Sequence, residues 1–298
     1  MARPASAQEA TAMGGTPAAA APPAPKKPPY SLPWQLRPVV VANVVRSDTA
    51  LAFYKSPAGQ SGSTVASMLL ASYKLTDSFA PMVRIGFVHN SPPAGKSGNT
   101  LTNPVLGGTY ALKFDDFKVG LFLGIALPLG GGGGNTPDLP NRTAMAAGIS
   151  ARSAMDNAMF AMNYLTFFPG AGIAYVKDGV TVQAEATLLQ LFRTRGDLVD
   201  VDSSRTNLTM GLHAGYFFIP ELSAGVELRH QRWLSTPAPV KVNSALRDNT
   251  TVAIGPRAHF KLGENMWLRP GIALALPVDK PMTDAKYKIV QIDVPFVF

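Results

Sequence analysis

The 298-residue chain contains no cysteine. This absence excludes a disulfide framework, a thiolate nucleophile and a cysteine-ligated metal site. Only four histidines are present, and they form neither an HxH nor an HExxH motif, so the sequence predicts no metal site and no cofactor. Charged residues make up 15% of the chain, below the ~25% that is usual in soluble domains.

The chain also lacks an apolar run long enough for a membrane-spanning helix. The best uncharged stretch, 119–137, is interrupted by five consecutive glycines from Gly130 to Gly134. A spanning helix needs ~20 predominantly apolar residues, and this stretch has about half that number before its glycines begin. Any crossing of a membrane must therefore use strands.

The N-terminal region has no apolar segment in front of a small-residue motif. Ala5-Ser6-Ala7 resembles the cleavage site of a secretory signal. Either the true translation start lies upstream, which we favour and which makes residues 1–7 the remnant of the cleavage region, or the resemblance arises by chance. Residues 8–33 are rich in alanine and proline, a composition that cannot bury a core, so we predict a disordered periplasmic segment there.

From Trp34 onward, segments of about ten residues alternate in polarity and are separated by turn residues. At the C-terminus the even positions from Val290 to Phe298 are apolar, whereas Gln291 and Asp293 lie on the odd face. Residues 222–234 alternate in the same way, with Glu227 on the polar face. A period of two indicates strands that have different surroundings on their two faces.

The connections between these segments alternate between short turns and longer loops rich in glycine and proline. Five short turns and six longer loops give twelve strands, with both ends of the chain on the short-turn side. This pattern predicts an all-β fold: one closed antiparallel transmembrane β-barrel over residues 34–298, with short periplasmic turns and long extracellular loops. The longest loop, 130–164, is predicted to be partly helical.

The terminal Phe298, on an alternating strand, resembles the C-terminal signature of bacterial outer-membrane β-barrel proteins, and the architecture of residues 34–298 is similar to that of porin-like transporters. The resemblance implies the outer membrane of a Gram-negative bacterium, recognition of Phe298 by the barrel-assembly machinery, and passive passage of small solutes. Basic residues near the long loops suggest contact with lipopolysaccharide as well as outer-membrane lipid. They are too dispersed for a nucleic-acid stripe, so no nucleic-acid partner is expected.

The odd or even position of a residue along its strand, here called its parity, identifies the side chains that should line a pore. The basic members outnumber the acidic ones, which favours anions. The alternative is that these charges pair with one another and fill the interior. The predicted pore-lining residues are Arg84, Lys113, Glu185, His213, Glu227, Arg229, Arg257, His259, Arg269 and Asp293.

The long loop offers a candidate constriction. Met155, Met159 and Met162 share one face of a helix, so the loop can fold into the barrel mouth and bring Arg142 and Arg152 to the solute path. It can equally lie on the rim as a small satellite core. A third function therefore stays open, a structural or surface-binding barrel with a plugged lumen.

An enzymatic alternative comes from His89 and Ser91, which follow outward-facing residues at the end of a strand. With Asn103 they resemble the Asn-His-Ser set of outer-membrane phospholipase A, another twelve-strand barrel. That resemblance implies that Ser91 is the nucleophile, His89 its base and Asn103 the residue that orients the imidazole. The sequence departs from that enzyme at Pro92, where the enzyme has an asparagine. Our leading interpretation remains a channel that is not an enzyme.

Overall fold

The computed structural model describes residues 30–197 and 202–298, so the predictions for residues 1–7 and 8–29 lie outside the described residues. Fifteen β-segments form one sheet. They are β1 Val44–Lys55, β2 Ser61–Ser72, β3 Phe79–Ser91, β4 Gly98–Leu101, β5 Val105–Phe114, β6 Phe117–Ala126, β7 Tyr164–Lys177, β8 Val180–Arg193, β9 Ser204–Ile219, β10 Leu222–Trp233, β11 Asp248–Ala258, β12 Phe260–Lys261, β13 Trp267–Leu268, β14 Gly271–Pro277 and β15 Lys288–Val297.

These segments make twelve barrel strands, because β4 with β5, β11 with β12 and β13 with β14 are each one strand with a short interruption. Every strand pairs antiparallel with its neighbours along the chain, and β1 closes the barrel by pairing with β15, from Val44 opposite Val297 to Phe53 opposite Lys288. Closure leaves no free sheet edge in the wall. The predicted closed twelve-strand barrel is confirmed.

The two faces of the wall are as different as the alternation predicts. On β10, Leu222, Val226 and Leu228 are exposed on the outside, whereas Glu227 and Arg229 are fully buried inside. On β15, Gln291 and Asp293 are inside and fully buried. An apolar outer surface around a polar interior is the arrangement that a barrel needs in hydrocarbon.

The connections are sorted by end, although less cleanly than predicted. Residues 115–116, 178–179 and 220–221 are tight turns at one end, here called the short-turn end, where Phe298 also lies. The β1–β2 connection, 56–60, belongs to the opposite, long-loop end but is no longer than the 73–78 turn.

The longest connection, 127–163, is here called the lumen loop. It contains α1 (Leu139–Ala151) and α2 (Asn157–Phe160), and α1 packs against β1 to β4. The residues of 152–160 are buried, so the loop enters the barrel. A short helix α3 (Ala238–Val242) and a 3₁₀ turn (Ser244–Leu246) lie between β10 and β11. None of the helices in the described part of the chain has the length and apolar character that crossing a bilayer requires.

The chain before β1 also lies inside the barrel. Residues 30–42, here called the N-terminal segment, bury Tyr30, Trp34 and Leu36 to 1% exposure or less. Residues 30–33 were expected to belong to a disordered periplasmic segment, and 34–43 to the barrel wall. Both expectations differ from the structure because the polar inner wall supplies partners for this segment's backbone.

Glycines on the inner wall make room for the N-terminal segment. A Cβ atom at Gly211 would lie 2.6 Å from Leu36 Cδ1, and one at Gly215 would lie 2.3 Å from Ser31 Oγ. Both distances are shorter than a side chain tolerates, so the segment can approach β9 this closely at these two positions only because they carry no side chain.

We expect Gly211→Leu to displace the N-terminal segment, because the added side chain would occupy the place of Leu36. Trp34 would then leave its buried position and its fluorescence emission would shift to longer wavelength. Ala214→Leu, which adds the same bulk to the outer face of the same strand, is the matched control and should leave the emission unchanged. An unchanged spectrum in folded Gly211→Leu protein would contradict this account of the segment.

Candidate functional site

The inner wall holds the N-terminal segment through backbone hydrogen bonds to two carboxylates. The Trp34 amide donates to Glu227 Oε2 at 2.7 Å, and the Arg37 amide donates to Glu185 Oε2 at 2.7 Å. Gln183 Nε2 donates to the Arg37 carbonyl at 2.7 Å. Because this segment has no strand neighbours to pair with, these side chains take the place of a sheet ladder.

Guanidinium groups hold the same segment through its carbonyls. Arg46 Nη2 donates to the Pro33 carbonyl at 3.0 Å, and Arg269 donates to the carbonyl of Tyr30. Arg46 and Arg257 both pair with Asp293, at 2.6 and 2.5 Å. Arg46, Arg257 and Asp293 therefore have charged partners, whereas Arg269 is held by a carbonyl oxygen.

A second ionic cluster holds the lumen loop. Arg152 donates to Asp48 Oδ1 at 2.7 Å and, through Nε, to Asp156 Oδ2 at 2.9 Å. Arg84 on β3 forms an ion pair with Asp156. Two residues of the loop are thus fixed to β1 and β3 by charge-assisted hydrogen bonds, which are stronger than neutral ones.

Arg229 connects the two clusters. Its Nε donates to Glu227 Oε1 at 2.5 Å and its Nη2 donates to Gln291 at 2.6 Å. Its Nη1 lies 3.4 Å from Ser153 Oγ of the lumen loop. Because Glu227 also accepts the Trp34 amide, a continuous set of contacts runs from the N-terminal segment to the lumen loop.

Two of the cavities along the described part of the lumen lie toward opposite ends of the barrel. The inner cavity has a volume of about 140 Å³ and reaches the short-turn end, with Leu32, Val41, Met82, Phe122 and Arg46 among its lining residues. The outer cavity has a volume of about 170 Å³ and lies toward the long-loop end. The two share no lining residue, and Asp156 faces the inner cavity whereas its neighbour Asn157 faces the outer one. Segment 152–160 therefore separates them.

The fold is similar to that of solved outer-membrane proteins. The COG4313 outer membrane channel from Pseudomonas putida F1 is 13% identical, with a TM-score of 0.54, and the match covers 89% of this chain and 98% of that chain. The KdgM porin in complex with disordered oligogalacturonate is 10% identical, with a TM-score of 0.48, over 86% of this chain and 99% of that chain. No family model and no curated protein matches the sequence.

The chain has the fold of an outer-membrane β-barrel. The closed wall, the apolar outer face and the resemblance in fold agree on this point, and barrels of this kind lie in the outer membrane of Gram-negative bacteria. This is the location that the terminal strand and Phe298 predict. The Phe298 amide donates to the Asn43 carbonyl at 3.1 Å, so the last residue extends the β1–β15 seam of the outer-membrane barrel. Its role as an assembly signal stays a prediction.

The structure places most of the predicted pore-lining residues inside the barrel, where they are largely buried and bonded to one another or to the inserted segments. Those inside are Arg84, Glu185, His213, Glu227, Arg229, Arg257, His259, Arg269 and Asp293. Lys113 is exposed, because it lies near the end of β5 at the rim. Of the two predicted constriction arginines, Arg152 is buried in the lumen and Arg142 is exposed beside the outer cavity.

Sequence reasoning missed several residues of the lumen. Arg46 and Asp48 share the inner face of β1, and parity applied to that strand would have found both. Asp156 follows Arg152 by four residues, a spacing that allows an ion pair within one helical turn. The N-terminal segment gave a weaker signal, the two-residue spacing of Leu32, Trp34 and Leu36.

The phospholipase-like set is rearranged relative to the prediction. His89 Nε2 lies 3.1 Å from Ser91 Oγ, as expected, but His89 Nδ1 lies 2.7 Å from Asn99 Oδ1. Asn103 is fully buried and donates to the Ala161 carbonyl of the lumen loop at 2.8 Å. The proposed role of Asn103 beside His89 is therefore wrong, because β4 pairs with β3 so that Asn99 stands opposite His89.

We expect Arg152→Met to destabilise the barrel, because it leaves Asp48 without its closest buried partner. Removing one partner of a buried ion pair costs about 3–5 kcal/mol. Thermal unfolding of the detergent-solubilised protein, followed by circular dichroism, should show a lower midpoint. Adding Asp48→Asn should recover part of the loss. The ion pair of Lys177 with Asp116 is exposed, so Lys177→Met is a control with little expected effect.

Proposed function

We propose that this outer-membrane barrel is a passive channel for small solutes whose lumen is closed at rest by its own lumen loop. The observation that carries the proposal is the pair of cavities along the lumen, separated by segment 152–160. A cavity on each side of this segment supports a channel, because movement of the segment would leave a continuous path along the lumen. Conduction requires the lumen loop to move far enough for the two cavities to join.

The charge of the interior supports a preference for anions. The inner wall, the N-terminal segment and the lumen loop bring more arginines than carboxylates to the described lumen. The arginines are Arg37, Arg46, Arg84, Arg152, Arg229, Arg257 and Arg269, and the carboxylates are Asp48, Asp156, Glu185, Glu227 and Asp293. A positive excess in a narrow lumen of low dielectric constant attracts anions.

Pairing of these charges reduces the expected anion preference. Most of the arginines contact a carboxylate, as the alternative of an ion-paired interior requires. Arg269 instead contacts His259 Nδ1 at 2.9 Å and the Tyr30 carbonyl. The preference should therefore be modest and should depend on the ion pairs that open when the lumen loop moves.

Planar-bilayer recording tests the channel. Replacing residues 135–163 by a short Gly-Ser linker should convert rare openings into a steady conductance, and Asp156→Asn should increase the open fraction, because it weakens the ion pairs to Arg84 and Arg152. Asp116→Asn, in a turn at the short-turn end, is the control. The reversal potential in a salt gradient should indicate anion preference.

The possible results separate the alternatives. Absence of current from the wild type and from every variant would favour a plugged structural or surface-binding barrel. Current with a cation-selective reversal potential would keep the channel and reject the anion preference. Outer-membrane lipid, lipopolysaccharide and the barrel-assembly machinery remain the partners that we propose for such a channel.

A second candidate function is supported by the row Ser91–His89–Asn99. The hydrogen-bonded order of hydroxyl, imidazole and amide is that of a nucleophile, its base and the residue that orients the base. The site lies at the long-loop end of the outer wall, where an acyl ester of the outer leaflet would approach. Pro92 has no backbone N–H, so the residue after the serine cannot help to stabilise an oxyanion.

Labelling with a fluorophosphonate and hydrolysis of a phospholipid in mixed micelles test this second function. If the row is catalytic, the wild type should be labelled and Ser91→Ala should lose both labelling and hydrolysis. Ser97→Ala is the matched control, because Ser97 Oγ lies 3.4 Å from Ser91 Oγ but does not contact the imidazole. Labelling that persists in Ser91→Ala, or no hydrolysis by the wild type, would eliminate the enzyme.

A further inference from the structure

The outer cavity has the size of a site for one ring. Its volume is about 170 Å³, and it lies between the lumen loop and the ends of β7 to β10. An apolar cavity of about 150 Å³ in another protein binds benzene, so this volume suits a single six-membered ring with a small substituent. The apolar part of the wall includes Ile149, Phe160, Leu191 and Trp233.

Cationic groups surround the same cavity. Arg205 Cζ lies 4.7 Å from the centre of the Tyr164 ring and Arg193 Cζ lies 5.8 Å from it, so both guanidiniums flank one lining residue. Arg142 on α1 lines the cavity from the loop side. Within residues 30–197 and 202–298, no carboxylate lies within 4.0 Å of the Arg142 guanidinium, whereas Arg205 pairs with Asp202 at 3.3 Å. Among the described residues, a ligand carboxylate would therefore meet at least one cation that has no acidic competitor.

A buried polar atom at the cavity wall lacks a partner. Asn157 is 3% exposed, and its Nδ2 donates to Asn207 Oδ1 at 3.3 Å. Its Oδ1 has no hydrogen-bond partner among the described residues. An acceptor left unsatisfied at such a position is costly, and a ligand hydroxyl that donated to Asn157 Oδ1 would remove the cost.

We propose that the outer cavity is an entry site for small monoanionic ring compounds, namely a single aromatic ring that carries a carboxylate and, preferably, a hydroxyl group. The ring would lie against Phe160 and Trp233, and the carboxylate would face the arginine side. The proposal deepens the proposed function, because it names the solute class of the channel. It depends on that function for the direction of transport but not for binding.

Isothermal titration calorimetry on the full-length protein in detergent tests the proposal with benzoate, benzamide and 4-hydroxybenzoate. Benzamide has the ring and shape of benzoate but no charge. Benzoate should bind about tenfold or more tightly than benzamide, because a hydrogen bond to a charged group is worth more than a neutral one. 4-Hydroxybenzoate should bind more tightly than benzoate.

Single substitutions test which residues contact the carboxylate and the hydroxyl group of the ligand. Arg142→Gln should weaken benzoate binding about three- to tenfold and leave benzamide unchanged. Asn157→Leu should remove the advantage of 4-hydroxybenzoate over benzoate. Arg232→Gln is the matched control, because Arg232 is at the same end of the barrel, is paired with Asp248 and does not line the cavity. Circular dichroism verifies that each variant is folded.

Three results would overturn the proposal: no benzoate binding at millimolar concentration, equal binding of benzamide and benzoate, or equal losses in Arg232→Gln and Arg142→Gln. Its failure is distinguishable from failure of the channel. A protein that conducts ions but does not bind benzoate rejects the solute class alone. A protein that binds benzoate with the expected selectivity but never conducts rejects the channel and keeps the site.

Discussion

Hydrocarbon on the outside of the barrel is the constraint on which the rest of the structure depends. Polar side chains of the strands have to point inward, and once inside they need partners. A barrel of eight strands is narrow enough for side chains to fill it, but twelve strands enclose a wider lumen. Glu227 and Asp293 are fully buried here because the N-terminal segment and the lumen loop, which are not part of the wall, fill the space between opposite strands. The inserted segments thus supply hydrogen-bond and ionic partners to the polar side chains of the wall and fill the space between them.

The N-terminal segment suits this role because peptide groups both donate and accept. Carboxylates of the wall accept its amides, as Glu227 does from Trp34, while guanidiniums such as Arg46 donate to its carbonyls. Asp48 and Asp293 stand directly opposite each other in the β1–β15 register, an arrangement that would be unfavourable between bare charges. Arg152 of the lumen loop neutralises Asp48, and Arg46 of the wall neutralises Asp293.

The facing of the wall residues was predictable because it depends only on a local period of two. Glu227 and Arg229 could be assigned to the interior from their own strand. The partners could not be assigned, because Asp48 and Arg152 are 104 positions apart and meet only after the loop enters the barrel. The partner of His89 could not be assigned either, because it depends on the pairing register of β3 and β4. The interruption after β4 turns Asn103 toward the lumen and leaves Asn99 beside the His89 imidazole. Lys113 lies on the inward-facing side of β5, as its position in the alternation predicts. It is nevertheless exposed, because the end of the strand lies at the rim, outside the enclosed lumen.

Arg229 makes the two inserted segments interdependent. It contacts Glu227, which anchors Trp34, and it reaches Ser153 of the lumen loop. If the lumen loop withdraws, Arg229 loses its contact with Ser153, which changes the hydrogen bond between Arg229 and Glu227. Because Glu227 accepts the Trp34 amide, displacement of the loop then alters the free energy of the bound N-terminal segment. Coupling between sites is reciprocal, so displacement of the segment must alter the loop to the same extent. The outer cavity is lined by the loop and not by the N-terminal segment, yet through Arg229 a change in the loop reaches that segment. Arg229, in the middle of the lumen, is therefore a contact point through which the two inserted segments affect each other.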